Sequence, residues 1–234
     1  MPPSVCERFH RRLVVSCQAL PGEPFRDTPS IVKFALAAVA GGAAGIRADS
    51  PADVAGIREA VDVPIIGKWN QTLDDGGRLI TATFEAARAL VEAGADMIAL
   101  DVTRRGQRFG ALDRLARIRS DLGVPVLADI ATLDEALTAA DAGADLVLTT
   151  MRGYTEESAH SRGFDLPFLQ ELVARSPVPV LAEGRLETPE LAAAALGAGA
   201  YAVVVGSAIT RPITIARRFA AAVEGAARSS EAAP

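Results

Sequence analysis

The sequence predicts a single α/β domain closed into a (β/α)8 barrel of the TIM class. Three observations carry that expectation. Val63-Pro64-Ile65-Ile66, Val124-Pro125-Val126-Leu127 and Val178-Pro179-Val180-Leu181 are one strand entry written three times. Ala93-Gly94-Ala95-Asp96, Ala142-Gly143-Ala144-Asp145 and Gly197-Ala198-Gly199-Ala200 each read as a helix end leading into a strand. Each period then holds two strand–helix units, and four periods fill the chain, which makes eight strands alternating with eight helices. The length of 234 residues, half of them hydrophobic, suits one such barrel. Strands in this arrangement are parallel, joined by right-handed crossovers and buried on both faces, so they read as short apolar runs. The rival is an open doubly wound sheet with a glycine-rich turn after its first strand. The turn found there is Gln18-Ala19-Leu20-Pro21-Gly22.

The elements follow in order. Residues 1–12 are polar and are expected to form an arm or a short capping segment, with the barrel proper over 13–225 and a disordered tail over 226–234. Leu13 to Gln18 reads as the first strand. Thr28-Pro29 caps a helix that Gly41-Gly42 ends. Gly45 to Asp49 is the second strand, with Ser50-Pro51 opening the next helix. Val63 to Trp69 is the third, followed by a polar loop over residues 70–79 and a helix from about Thr83 to Ala93. Met97 to Val102 is the fourth, and a strongly basic loop runs from Arg104 to Gly110. The later strands start from the second and third Val-Pro entries. Thr188-Pro189 caps a helix, and Tyr201 to Val205 closes the series at Gly206-Ser207.

Composition removes several classes of function. A net charge of −5 argues against nucleic acid as a partner. Charged residues or glycines interrupt each apolar stretch before 18 residues, so no membrane span or signal peptide is expected. Cys6 and Cys17 lack metal-ligand spacing and read as reduced thiols, which suits a cytoplasmic protein. No metal cluster, dinucleotide fingerprint or Ser-His-Asp set is visible, so neither metal nor cofactor is expected.

In a barrel of this kind the carboxyl ends of the strands carry the chemistry. Here they present Gln18, Arg47, Lys68 or Asn70, Asp101 with Thr103, Asp129, Thr149 with Thr150, Glu183 with Arg185, and Gly206 with Ser207. So many ionisable groups on strands of Val, Ile, Leu and Ala are costly unless they pair or work. Asp101 and Asp129 read equally as direct contacts and as groups that orient a neighbouring Arg or Lys. Gly184-Arg185 and Gly206-Ser207, after the last two strands, offer free N–H groups to a phosphate, and Arg185 and Arg211 add positive charge nearby. The chemistry that fits is metal-free acid–base work on a phosphorylated small molecule.

These residues have a family resemblance. The stretch from Ser16 to Pro24, Gly45-Ile46-Arg47-Ala48, Leu100-Asp101-Val102-Thr103, Ala128-Asp129-Ile130, Gly153-Tyr154-Thr155, Ala182-Glu183-Gly184-Arg185 and the stretch from Val204 to Pro212 together resemble the N-acetylmannosamine-6-phosphate 2-epimerase family. The resemblance runs from about Leu13 to Phe219. It implies cofactor-independent interconversion of N-acetylmannosamine 6-phosphate and N-acetylglucosamine 6-phosphate in amino-sugar and sialic acid catabolism. It also suggests a homodimer, and a lysine base after the third strand paired with Glu183. The chain departs at that lysine, where Asn70 stands. An amide takes no proton at neutral pH. Lys68, two residues earlier, faces the same way and would reach the same space from about 6–7 Å deeper. The expected site is therefore Glu183 and Lys68 for proton transfer, with Gln18, Arg47, Asn70, Asp129, Thr150 and Arg211 around the sugar. Gly184, Arg185, Gly206 and Ser207 would hold its phosphate. Two alternatives stay open on these residues: an inert relative that only binds the phosphosugar, favoured by Asn70, and a barrel enzyme with a different phosphosugar reaction.

Overall fold

Closure of the sheet is the first feature that positions the site. A computed structural model describes residues 4–231. Its barrel strands are β1 (Leu13–Cys17), β2 (Gly45–Asp49), β3 (Ile65–Lys68), β4 (Met97–Asp101), β5 (Val126–Asp129), β6 (Leu146–Leu148), β7 (Val180–Ala182) and β8 (Ala202–Val205). Each pairs in parallel with its sequence neighbours, and β1 closes the ring on β8 through Leu13↔Val203, Val14↔Val204 and Val15↔Val205. The eight-stranded parallel barrel expected from the sequence is the one formed.

The internal repeat has a structural cause. The Asp96 carboxylate, just before β4, accepts the Ile65 N–H at 2.8 Å, and Asp145, just before β6, accepts that of Val126 at 2.8 Å. Each therefore ties down the first N–H after the Val-Pro entry of the preceding strand. In the third copy Tyr201 stands in that place and donates its backbone N–H to the Val180 carbonyl at 2.7 Å. Gly94, Gly143 and Gly199 adopt φ of 103°, 97° and 98°, the left-handed turn that ends each preceding helix and that a side chain would strain.

Alternation along the strands sorts the interior into layers. Val14, Ile66, Met97, Ala99, Leu127, Leu146, Leu148, Leu181, Ala202 and Val204 form one buried cluster inside the barrel, and a larger one fills the space between strands and helices. Two residues further along the same faces come Ser16, Lys68, Asp101, Asp129 and Glu183, all buried. The barrel thus runs from an apolar floor to an ionisable upper layer. Phe9 joins the floor cluster with no exposed surface, carried there by a single 3-10 turn, Glu7–Phe9.

Three local expectations are corrected. The polar loop after β3 is an antiparallel hairpin, Asn70–Thr72 against Arg78–Ile80. Asp74, Asp75, Gly76 and Gly77 make its turn, a signal that could have been read in the sequence. The basic loop holds a short helix, Arg104–Arg108, because Thr103 caps it by accepting the Gly106 N–H. Residues 226–231, expected to be disordered, continue the final helix Pro212–Glu231, an alanine-rich run that no proline interrupts before residue 234. The remainder of that tail, 232–234, lies outside the described residues, as do residues 1–3 of the arm. Among the described residues no helix is long and apolar enough to cross a membrane.

Phe9→Ala should cost about 3–5 kcal/mol and lower Tm by roughly 10 °C in a thermal melt. The kcat of the folded protein should stay unchanged, because the phenyl ring fills the end of the barrel away from the ionisable layer.

Candidate active site

Arg47 is the hub of the ionisable layer. It leaves β2 into the barrel, is 1% exposed, and donates through Nη2 to both carboxylate oxygens of Asp129 at 2.8 Å. Its Nη1 lies 3.5 Å from Glu183 Oε2. Burial would lower its pKa, but the Asp129 and Glu183 carboxylates outweigh that and raise it, so the guanidinium is permanently charged.

Glu183 stands at the exit of β7. Burial, the largest influence, raises its pKa, opposed by Arg47; Asp129 adds to the rise, and the Thr150 hydrogen bond and Lys68 oppose it. Thr150 donates its hydroxyl to Oε2 at 2.6 Å, while Thr149 donates to the Glu183 carbonyl at 2.7 Å and accepts its N–H at 3.0 Å. The short helical turn Thr149–Met151 after β6 thus fixes both backbone and carboxylate of Glu183.

Lys68 ends β3 and is 2% exposed. Its Nζ sits 3.1 Å from Asp49 Oδ2, the residue paired with it across β2 and β3. Burial lowers its pKa first of all; Asp49 opposes the fall, Arg47 adds to it, and Glu183 opposes it more weakly. Asn70 has already left the barrel as the first residue of the hairpin. Its backbone N–H and its Nδ2 donate to the two oxygens of Asp49 at 2.9 and 2.6 Å.

A cavity of about 370 Å³ opens over this layer, lined by Gln18, Arg47, Lys68, Asn70, Thr150, Glu183 and Arg211 among others. A smaller hollow of about 130 Å³ adjoins it, lined by Gly184, Arg185, Gly206 and Ser207, and shares Gln18, Thr150, Tyr154, Glu183 and Ser207 with it. Every residue expected at the site borders one of the two spaces except Asp129. That carboxylate has no exposed surface, accepts from the Arg47 guanidinium and lines neither space. Two further expectations narrow. The Arg185 guanidinium donates to the carbonyls of Arg152 and Gly153 and stacks on Tyr154, so its side chain shapes the loop. Arg211 pairs with Glu23.

Several residues at or beside the two spaces were not foreseen as site residues. Asp49 read as a strand tip, and its part follows only from the strand register. Tyr154 reaches both spaces from the loop after β6, and Arg78 reaches the larger one from the hairpin. Asp101, expected from its strand-end position, also lines the larger cavity and is pushed up to about 6, by burial first, with hydrogen bonds from Thr103 opposing. The thiols offer no nucleophile here: burial pushes Cys17 up to about 12 and Cys6 up to about 11. Among the described residues no group of three or more His, Cys, Asp or Glu is placed to hold a metal ion.

Comparison with known proteins agrees with this geometry. A family described as "Putative N-acetylmannosamine-6-phosphate epimerase" matches residues 31–225. The protein named "Putative N-acetylmannosamine-6-phosphate 2-epimerase" of Thermosynechococcus vestitus is 47% identical over 198 residues, covering 85% of this chain and 87% of its own. The protein of the same name from Cutibacterium acnes is 44% identical, over 88% and 91% of the two chains. The solved structure of the N-acetylmannosamine-6-phosphate 2-epimerase from Clostridium perfringens superposes with a TM-score of 0.89 at 39% identity, over 94% of this chain and 96% of that one. A thiamine phosphate pyrophosphorylase from Pyrococcus furiosus, at 18% identity and a TM-score of 0.59, shares the fold alone. With fold, barrel mouth and relatives in agreement, this chain belongs to the N-acetylmannosamine-6-phosphate epimerase family.

Proposed function

We propose that the chain inverts C2 of N-acetylmannosamine 6-phosphate to give N-acetylglucosamine 6-phosphate, in amino-sugar catabolism, using protein groups alone. The observation that carries this reading is the placing of Lys68 and Glu183. They stand at the ends of β3 and β7, four strands apart in a ring of eight, and so on opposite walls of one cavity. Inversion needs that arrangement. The sugar ring opens, the C2 proton becomes acidic beside the C1 aldehyde, one group removes it, and another returns a proton to the opposite face.

The protonation states suit these roles. Burial lowers Lys68 from the ordinary lysine range, which favours a free amine, and raises Glu183, which favours a carboxylic acid. After one turnover the protons have exchanged, and the reverse reaction starts from that state. Arg47, permanently charged between them, is the donor suited to the developing enolate oxygen. Lys68 in the same cavity answers the loss of a lysine at position 70, which supports an enzyme over an inert binder.

The smaller hollow suits the phosphate. Ser207 and Ala208 open a helical turn, so their N–H groups have no partner four residues back. Gly206 approaches Ser16 and Gln18 so closely that an added Cβ would lie 3.3 Å from Ser16 Cβ and 3.4 Å from Gln18 Nε2. A homodimer belongs to the same proposal: Phe219 and Val223 on the final helix are 71% and 68% exposed, more apolar surface than an isolated helix favours. So does a cytoplasmic setting, where Cys6 and Cys17, both free, would stay reduced.

The direct test is NMR of N-acetylmannosamine 6-phosphate in heavy water with the purified protein. Deuterium should enter C2 as the N-acetylglucosamine epimer accumulates, and binding without exchange would overturn the enzyme reading. Glu183→Gln should fold and bind yet lose roughly 10²–10⁴-fold in kcat, and Lys68→Met should abolish exchange. The kcat profile should fall at low pH as Lys68 takes up its proton and at high pH as Glu183 loses its own, a bell rather than a plateau.

A separate calorimetric titration examines the phosphate seat. Gly206→Val should weaken the phosphorylated sugar at least tenfold while leaving the weak affinity for unphosphorylated N-acetylmannosamine unchanged. Equal affinity for the phosphosugar in wild type and variant would remove this hollow from the site.

A further inference from the structure

We infer that Asp49, locked in place by Asn70, is the positioning residue that makes a lysine two residues deep in β3 usable as the base. The inference rests on the reading of Lys68 as the proton acceptor and adds the device that serves it. Four observations converge. Asp49 and Lys68 are register partners at the ends of β2 and β3, and their charged atoms are 3.1 Å apart. Both carboxylate oxygens of Asp49 are also held by Asn70, through its backbone N–H and its Nδ2, so the carboxylate cannot turn away. Ser50, immediately after Asp49, holds φ 83° and donates its N–H to the Lys68 carbonyl at 2.8 Å. A residue with a side chain keeps that conformation only where the surroundings enforce it. Finally, Lys68 Nζ is buried with no aligned hydrogen-bond acceptor among the described residues, and Asp49 is its ion-pair partner. An ammonium so placed keeps donor positions open toward the cavity that it lines.

Asn70 gains a definite task. An amide cannot be the base, but it clamps the carboxylate that steers one. A lysine at 68 without Asp49 would face Arg47 across the same layer with only the weaker pull of Glu183 to draw it off the guanidinium. The charges around Nζ are Asp49 and Arg47 on β2, Glu183 on β7 and Asp53 behind Asp49; Arg78, Asp101 and Arg211 line the same cavity. Asp49 is the nearest opposite charge, so its removal should lower the Lys68 midpoint further.

The chain has two lysines, Lys33 and Lys68, so protein labelled with 13Cε-lysine gives two signals. Titration in the wild type should show the Lys68 signal changing below the ordinary lysine range. In Asp49→Asn the Lys68 midpoint should fall by about one to two pH units more. The acid limb of kcat should move down with it, kcat should drop about a hundredfold through misplacement, and KM should change little. Asp49→Glu should bring the midpoint back up. A Lys68 midpoint unmoved in Asp49→Asn overturns the inference, and so does an unmoved midpoint in Asp49→Gln should the first variant not fold. Normal C2 exchange in Lys68→Met instead overturns the underlying choice of base, a result that the NMR titration cannot mimic.

Discussion

The contact of Arg47 with Asp129 and Glu183 is the constraint on which the upper half of this barrel depends. Three charged groups meet there with almost no solvent access, and each is tolerable only because the others are present. Taking charges from water into a protein interior costs several kcal/mol per ion before pairing. Burial first of all, with the Asp129 charge adding to it, raises Glu183 against the pull of Arg47, while the two carboxylates keep Arg47 charged. The same reasoning extends to Lys68 and Asp49, a second pair beside the first. Charge balance, more than shape, decides which residue types can occupy these strand ends.

The repeat explains why the fold was legible. A proline strand entry, a left-handed glycine and a capping aspartate are local chemistry, and Asp96 and Asp145 join them across neighbouring strands. Such features show in single residues. The hairpin after β3 and the helix at Arg104–Arg108 were harder, because short elements have too few residues for a period to appear. Charge hid the second of these: its arginines face outward or pair with acidic neighbours, so a capped helical turn reads as a basic loop. The final helix was underestimated for the opposite reason. Alanine carries strong helix propensity but little pattern.

At the site, strand-end position was informative and side-chain partner was not. Knowing that a residue closes a barrel strand placed Gln18, Arg47, Lys68, Thr150 and Glu183 around one cavity. It could not say that Asp129 would pair with Arg47 and line neither space, or that Arg185 would reach back to the carbonyls at 152 and 153. Those outcomes depend on register across strands far apart in sequence. Asp49 shows this most plainly, since it gains a role only by standing beside Lys68.

The position of the lysine follows from how β3 ends. Lys68 is the last residue of β3 and still pairs with Asp49 of β2, whereas Asn70 belongs to a hairpin that leaves the rim. A lysine at 70 would ride on that hairpin with more solvent around it. At 68 it is held by the sheet, and its loss of hydration favours the free amine. The same loss leaves any remaining positive charge in need of a fixed partner. Asp49 at the paired position provides one, and the amide at 70 prevents that carboxylate from turning. The amide at 70 and the lysine at 68 thus form one arrangement around Asp49, in which the period of two along β3 keeps Lys68 facing the barrel interior.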